Sequence, residues 1–428
     1  MNGIQVAPDA LLDVTIRLGR THVFATLPTR LQVLVETRPS ARTSHVTAPT
    51  DIRLVVDVSG SMNEPSRKGG ASKLEVVKTA IITLLAQLTD SDSVLLSVFS
   101  TNGRLVVPQT RLTPEARQRV ERSVQELQPE GSTNISAGLK LALEAPSARG
   151  ALPRVILFTD GQSTSYPQRD HQRLVELADM MRSREIPLLV YGTGSDYNWS
   201  LLHQVATRAG GVSFLKHVMD VASLEGHMLA ELAFLRGTAI DRFEIEGVVT
   251  HGVTLVCATS MMPQIRKIEI THQRSFLEHT GALDLHRGAQ YLIELEVAQP
   301  TPGKRTVLFL TFHGRNRTTL VHLDHMIEVP VTFVAYVSQQ SPVDEQVRKV
   351  LLMLAAAKEA EAGTYGKAAA LYRRGGDEAT ATVMEGLDMA SRRGDANSID
   401  LERAAMTVAS GVVTDNYTID PGTGRGKC

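Results

Sequence analysis

The chain has 428 residues, 43% of them apolar and 21% charged, with a formal net charge of −1. That length holds two or three domains with real cores, and the near-neutral balance excludes a whole-chain attraction to nucleic acid or to an anionic membrane. The two cysteines, Cys257 and Cys428, offer no disulfide framework and point to a reducing, cytoplasmic setting.

Residues 1–20 lack a charged segment followed by a long apolar core, so no signal peptide is expected. No run approaches the roughly 18 apolar residues of a membrane span. Cys428 is terminal rather than fourth from the end, so it does not fit a prenylation box.

In chain order, the first apolar runs lie at Val14-Thr15-Ile16 and Leu31 to Val35, which read as strands within residues 1–50. From 51 to 237 strand and helix signals alternate. Leu54-Val55-Val56 leads into Asp57 as a buried strand. Leu74, Val77, Ile81, Leu84 and Leu88 recur at spacings of three and four, which predicts an amphipathic helix. Val94 to Phe99 is the next strand, with Arg104 to Val107 as an edge strand hairpinned onto it. Thr113-Pro114-Glu115 opens a helix, with Thr113 as N-cap and Pro114 at the first helical position. Ile135 to Leu143 reads as helix, and Val155 to Phe158 as a buried strand ending at Thr159-Asp160-Gly161. Helices at 170–184 and 198–209 flank a strand at Leu188 to Tyr191. A short strand near Val212 to Leu215 precedes a last helix with Val221, Leu224, Met228, Leu232 and Leu235 on one stripe. Continuous apolar strands alternating with helices predict a doubly wound, mostly parallel α/β sheet covered on both faces. Such sheets bind ligands beyond the carboxyl ends of their strands, where Asp57 and Asp160 fall.

Residues 238–338 carry short strands separated by turns such as Pro300 to Gly303, which predicts an antiparallel β-sandwich. The strands of residues 1–50 are expected to complete it, with the α/β domain of 51–237 inserted between. Residues 341–411 read as a small helical bundle: Val347, Val350, Leu351 and Leu354 start one helix, and Ala379 to Arg392 and Ile399 to Ala409 follow. Gly363 to Tyr372 has a faint tetratricopeptide pattern, too weak for an array. Residues 412–428 are expected to be a disordered tail.

Three segments place short oxygen side chains on one rim of the predicted sheet: Asp57-Val58-Ser59-Gly60-Ser61, Gly131-Ser132-Thr133-Asn134 and Thr159-Asp160-Gly161. Hard cations take oxygen ligands, and Mg²⁺ prefers an octahedron at about 2.1 Å. Asp57, Ser59 and Ser61 occupy alternate positions of one loop and can point the same way. Only Asp57 and Asp160 bring negative charge, which leaves a bound cation electrophilic and ready for an incoming carboxylate. Singly, these residues are ordinary caps and turn formers; together, in this order on one rim, they form a metal-type set.

This pattern resembles the von Willebrand factor A (vWA) family. Its metal-ion-dependent adhesion site is written Asp-x-Ser-x-Ser, then a distant Thr, then a distant Asp, here Asp57, Ser59, Ser61, Thr133 and Asp160. Val56 to Met62, Phe158 to Gly161 and Tyr191 to Asp196 are similar to the family as well, within about 51–237. The resemblance implies a Rossmann-like vWA fold and a Mg²⁺ site, with Mn²⁺ or Ca²⁺ also fitting. By resemblance, Ser59 and Ser61 ligate directly, Thr133 directly or through water, and Asp57 and Asp160 largely through water. It further implies a protein partner donating an acidic side chain, and it allows assembly with ATPase or chaperone systems. The flanking strands and helical region look like bacterial cytosolic members.

The expected function is a non-enzymatic, metal-dependent protein–protein interaction module, an intracellular adaptor or scaffold. The rivals are a surface adhesion protein using the same site, a scaffold whose metal only stabilises it, and a hydrolase built on Ser59 or Ser61. Against the hydrolase, Gly-x-Ser-x-Gly is absent and no histidine or other general base adjoins the motif segments. Histidines 272, 279, 286, 313, 322 and 325 lack zinc-site spacing and read as scattered surface residues. Arg67-Lys68-Gly69-Gly70 lacks the Walker spacing and reads as a flexible basic loop.

Overall fold

The computed structural model describes residues 3–5, 11–25, 28–40, 49–66, 70–147, 151–160, 163–165, 167–193, 198–210, 214–218, 221–262, 265–284, 288–316, 319–393, 418–419 and 426–427. The expectations on Arg67 to Gly69, Gly161, Gly194 to Asp196, His286, Ile399 to Ala409 and most of 412–428 lie outside the described residues. The chain divides into two units, one of Met1–His45 with Thr238–Cys428 and one of Val46–Gly237.

The first unit opens with β1 (Gly3–Gln5), β2 (Leu12–Leu18), β3 (His22–Phe24) and β4 (Thr29–Pro39). In β2, buried Leu12, Val14, Ile16 and Leu18 alternate with more exposed Asp13, Thr15 and Arg17, the period-two pattern of a sheet with one covered face. β4 breaks that alternation, because Val33, Leu34 and Val35 are all buried.

The second unit contains β5 (Thr50–Asp57), α1 (Lys73–Gln87), β6 (Ser93–Phe99), β7 (Gly103–Arg111), α2 (Pro114–Gln125), α3 (Ile135–Glu144), β8 (Leu152–Thr159), α4 (Pro167–Ser183), β9 (Leu188–Thr193), α5 (Trp199–Ala209), β10 (Phe214–Val218) and α6 (Val221–Gly237). The strand expected at Val212 to Leu215 is thus described over Phe214–Val218, and the edge strand expected at Arg104 to Val107 runs on to Arg111. The sheet order is β10-β9-β8-β5-β6-β7. Its pairings are parallel except for β7, which returns antiparallel to β6. Ile52, Leu54 and Val56 of β5 join a core with α1, α2 and α6, while Val55 joins one with α3, α4 and α5. This is the doubly wound α/β arrangement: strands buried on both faces carry apolar residues at successive positions.

β5 lies between β6 and β8, so the strand order reverses between β5 and β8. The connections that follow these two strands diverge and leave a crevice at their carboxyl ends. Helix starts follow the local chemistry. Ser72 accepts from the Glu75 N–H at 3.2 Å to cap α1, and Thr113 accepts from the Ala116 N–H at 3.3 Å to cap α2, whose first residue is Pro114. The start of α3 is capped from elsewhere: the Ile135 and Ser136 N–H groups donate to the Asp170 carboxylate of α4 at 3.1 and 2.9 Å.

The first unit resumes with β11 (Thr238–Val249), β12 (Val253–Met262), β13 (Arg266–Lys267), β14 (Ile270–Thr271), β15 (Ser275–Asp284), β16 (Ala289–Val297), β17 (Gly303–Asn316), β18 (His322–Val334), α7 (Glu345–Glu361), α8 (Tyr365–Gly375) and α9 (Glu378–Arg393), then the short pair β19 (Thr418–Ile419) and β20 (Gly426–Lys427). Sheets ordered β1-β2-β4-β16-β12-β13 and β14-β15-β11-β17-β18-β3 share one core that includes Val14, Val33, Ile245, Leu255, Ile293 and Phe312. Two sheets packed over a common core form a β-sandwich. β4 pairs antiparallel with β16 from Thr29↔Val297 to Thr37↔Ala289. On the other face of that sheet, Leu34, Met261 and Leu292 pack against Val347, Val350 and Leu354 of α7. That helix accounts for the broken alternation in β4. α8 and α9 extend the helical region around Tyr365, Tyr372, Met384 and Leu387. No helix among the described residues is long and apolar enough to cross a membrane.

Candidate metal-binding rim

β5 ends at Asp57, and the chain then leaves the sheet through a short 3-10 turn, Gly60–Asn63, that starts after Ser59. Met62 is buried in the core beneath this turn and anchors it. The Asp57 carboxylate faces inward: Oδ1 accepts from the Ser59 N–H at 2.8 Å and Oδ2 from the Thr159 hydroxyl at 2.7 Å. The Ser59 and Ser61 hydroxyls stand 3.1 Å apart, and Ser61 Oγ donates to Asp160 Oδ1 at 2.9 Å. Asp160 follows directly after β8. Four of the five expected residues therefore form one hydrogen-bonded chain across the crevice between β5 and β8.

Thr133 is not bonded to that chain; its loop meets the rim at Gly131, and its own backbone is tied to Thr164 and Ser165. The Gly60 N–H donates to Gly131 O at 3.1 Å, and the Thr164 and Ser165 N–H groups donate to Thr133 O, each at 3.0 Å. The Thr133 N–H donates to Thr164 Oγ1 at 2.9 Å. Thr133 is buried, and its hydroxyl makes no hydrogen bond to Ser59, Ser61 or Asp160 among the described residues. The loop turns at Gly131, where φ is +67° and a Cβ would lie 2.7 Å from Thr101 Oγ1. That left-handed conformation, so close to Thr101, needs glycine.

Two residues complete the rim that the motif did not single out. Lys73, the first residue of α1, donates from Nζ to Asp160 Oδ2 at 2.6 Å and to Glu64 Oε2 at 3.0 Å. Its side chain is 6% exposed and that of Glu64 62%. A usable signal was present in the sequence: a lysine at the first helical position opposes the helix dipole and calls for a carboxylate nearby. Burial works to lower the Lys73 ammonium, but its bonds to Asp160 and Glu64 outweigh that and hold it above the ordinary lysine value. Burial pushes the Asp57 carboxyl up to about 6, with the bonds from Ser59 and Thr159 opposing the shift and the Asp160 charge adding to it.

The donor set fits a hard cation. Oxygens at about 2.1 Å from Mg²⁺ on adjacent octahedral corners stand about 3.0 Å apart, and Ser59 Oγ, Ser61 Oγ and Asp160 Oδ1 are spaced at 3.1 and 2.9 Å. Among the described residues there is no cluster of three or more His, Cys, Asp or Glu able to hold a metal, so a cation here would rely on hydroxyls. Neither serine hydroxyl is hydrogen bonded to a histidine among the described residues.

In doubly wound α/β units, ligands bind beyond the carboxyl ends of the strands where the strand order reverses, which is where these oxygen side chains gather. Residues 50–214 match the family model described as von Willebrand factor type A domain. Over 368 residues the chain is 23% identical to "Uncharacterized protein sll0103" of Synechocystis sp., covering 80% of each chain. It is 29% identical over 155 residues to "E3 ubiquitin-protein ligase WAV3" of Arabidopsis thaliana, which is 34% of this chain and only 20% of that one. The solved structure "von Willebrand factor type A from Catenulispora acidiphila" shares the fold, with a TM-score of 0.71 at 16% identity over 99% of this chain and 94% of that one.

Proposed function

We propose that the rim binds one divalent cation, Mg²⁺ first, and that the cation captures an Asp or Glu carboxylate of another protein. Ser59, Ser61 and Thr133 would supply hydroxyl oxygens, and Asp57 and Asp160 the negative charge. The observation that carries the reading is the spacing of Ser59 Oγ, Ser61 Oγ and Asp160 Oδ1 at 3.1 and 2.9 Å in the crevice between β5 and β8. A cation held there supplies a Lewis-acidic docking point for an oxygen from outside.

In this reading the chain is a binding module, an intracellular adaptor or scaffold, rather than an enzyme. The ligase named above is matched over a fifth of its length, so its activity is not carried over. The serine hydroxyls bond each other and Asp160, and among the described residues no histidine bonds them to activate them as nucleophiles. Scarcity of cysteine supports a reducing compartment. An ATPase or chaperone assembly is one class of partner this reading admits.

The test is calorimetric titration of the chelator-stripped protein with Mg²⁺, Mn²⁺ and Ca²⁺, alongside Asp57→Ala, repeated with an acidic peptide present. Saturable binding that the substitution abolishes is the expected result. Absence of binding in the wild type, even with the peptide, would overturn the reading.

A further inference from the structure

We infer that Lys73 is a tethered counter-ion of the rim: it competes with a divalent cation for Asp160 and, once that cation is held, strengthens its grip on a carboxylate from outside. The inference rests on the metal-docking reading above. Lys73 Nζ lies 2.6 Å from Asp160 Oδ2, with both side chains buried, and 3.0 Å from the largely solvated Glu64 carboxylate. The ammonium is delivered by a closed loop. The Lys73 N–H donates to Glu64 O at 2.9 Å, the Ser66 N–H donates to Ala71 O at 2.9 Å, and Pro65 bridges to Ser72. This geometry sets the cation against Asp160 from the start of α1, where the helix dipole opposes it.

The charge inventory follows. Asp57 and Asp160 against Lys73 leave the buried rim with a net single negative charge. A dication turns that into a net single positive charge, which one incoming carboxylate neutralises. Without Lys73, the dication alone would neutralise the two aspartates, and an incoming carboxylate would leave the site negative. In a poorly solvated crevice such imbalances are costly. Lys73 therefore weakens the binding of the metal alone and strengthens the binding of metal and carboxylate together. Its flexible stem lets the ammonium move wholly to Glu64 when a metal takes Asp160.

The experiment is calorimetric titration of the chelator-stripped full chain with Mg²⁺, with and without excess acetate, for wild type, Lys73→Met and Lys73→Arg, with circular dichroism to verify the fold. Lys73→Met is expected to bind Mg²⁺ alone about tenfold more tightly than wild type, and to gain less affinity from acetate. Lys73→Arg keeps the charge and stays within about threefold of wild type. In thermal melts Lys73→Met lowers the melting temperature of the chelated protein more than that of the Mg²⁺-loaded protein. Equal or weaker Mg²⁺ binding by Lys73→Met, or an equal loss of melting temperature in both states, would make Lys73 a plain structural ion pair and overturn the inference, while wild-type binding kept the metal reading intact. Failure of wild type and variant alike to bind Mg²⁺, acetate included, would remove the metal reading and the inference with it.

Discussion

Asp57 burdens the metal-free protein. Its carboxyl is buried at the end of β5 and titrates near 6 rather than near 3.8. A folded group that keeps its proton longer than the unfolded chain does favours the fold most below pH 4. That advantage is lost as pH rises through 4 to 6, and above it the ionised group is a standing cost. Asp57→Asn should therefore stabilise the chelated protein at pH 7 by about 1–3 kcal/mol and flatten its pH dependence between 4 and 6. The Thr159 hydroxyl, which now donates to Asp57, can turn to accept from the amide. Thermal melts across that pH range check this, and a variant less stable than wild type at pH 7 without metal contradicts it. With Mg²⁺ present the sign should reverse, because only the wild type gains from the ion. At this scale the rim was readable where spacing and strand ends coincide, as at Asp57, Ser59, Ser61 and Asp160. For Lys73 the sequence offered only the hint of a lysine at a helix start, which calls for some carboxylate but not for Asp160 or Glu64; that link depends on a loop closing. Thr133 lies between these cases, since its loop is tied to the rim through Gly131 while its hydroxyl is not hydrogen bonded to the other oxygens.

Among the elements, α6 shows what periodicity reveals and what it hides. Leu224, Met228 and Leu232 form the buried stripe that their spacing predicts. Glu231, beside Leu232, lies outside that apolar pattern, yet its side chain is buried and its Oε1 lies 3.0 Å from Nη2 of buried Arg154 in β8. Tyr191 of β9 stacks between Phe158 and His227 of α6 nearby. Burial lowers the Arg154 guanidinium, and the Glu231 carboxylate works against that. An ion pair has no period, and its halves lie on elements far apart in sequence, so nothing local announces it. Glu231→Leu leaves a buried cation without its carboxylate and should cost about 3–5 kcal/mol in urea denaturation. Arg154→Met with Glu231→Leu should recover most of that loss. Equal stability of the single and double variants would mean that the pair is not what holds α6 to the sheet. The broken alternation of β4 carries the same lesson in reverse: Leu34 lies on the face opposite Val33 and Val35, and its burial shows where α7 covers the sheet.

Across the whole molecule, the doubly wound unit is made of consecutive elements, whereas the sandwich is made of strands from both sides of it. Local alternation marks which segments are strands, but not which strand pairs with which, because pairing is settled by long-range packing. The structure joins β4 to β16 on one side and to β2 on the other. A fragment of residues 46–237, which has its own cores, should melt cooperatively by itself. A chain starting at residue 49 lacks β2 and β4, exposes the edge of β16 and should be largely insoluble. A soluble, cooperatively melting product from that truncation would show that β4 is dispensable.

The interleaved sandwich also sets a clock on the ribosome. Glu36 of β4 bonds Gln290 of β16 across 254 residues of chain. At about 5–20 residues per second, β4 waits about 13–50 s for its neighbour to be synthesised. In that interval the α/β unit has time to fold, while β4, with Leu31, Val33, Leu34 and Val35, can pair only with β2 and keeps its other edge open, the kind of edge that seeks other chains. Arg30, Glu36 and Arg38 flank that run within the same strand. They make ion pairs or hydrogen bonds in the finished sheet at Arg30 and Glu36, and during the wait their charges act as gatekeepers against premature association.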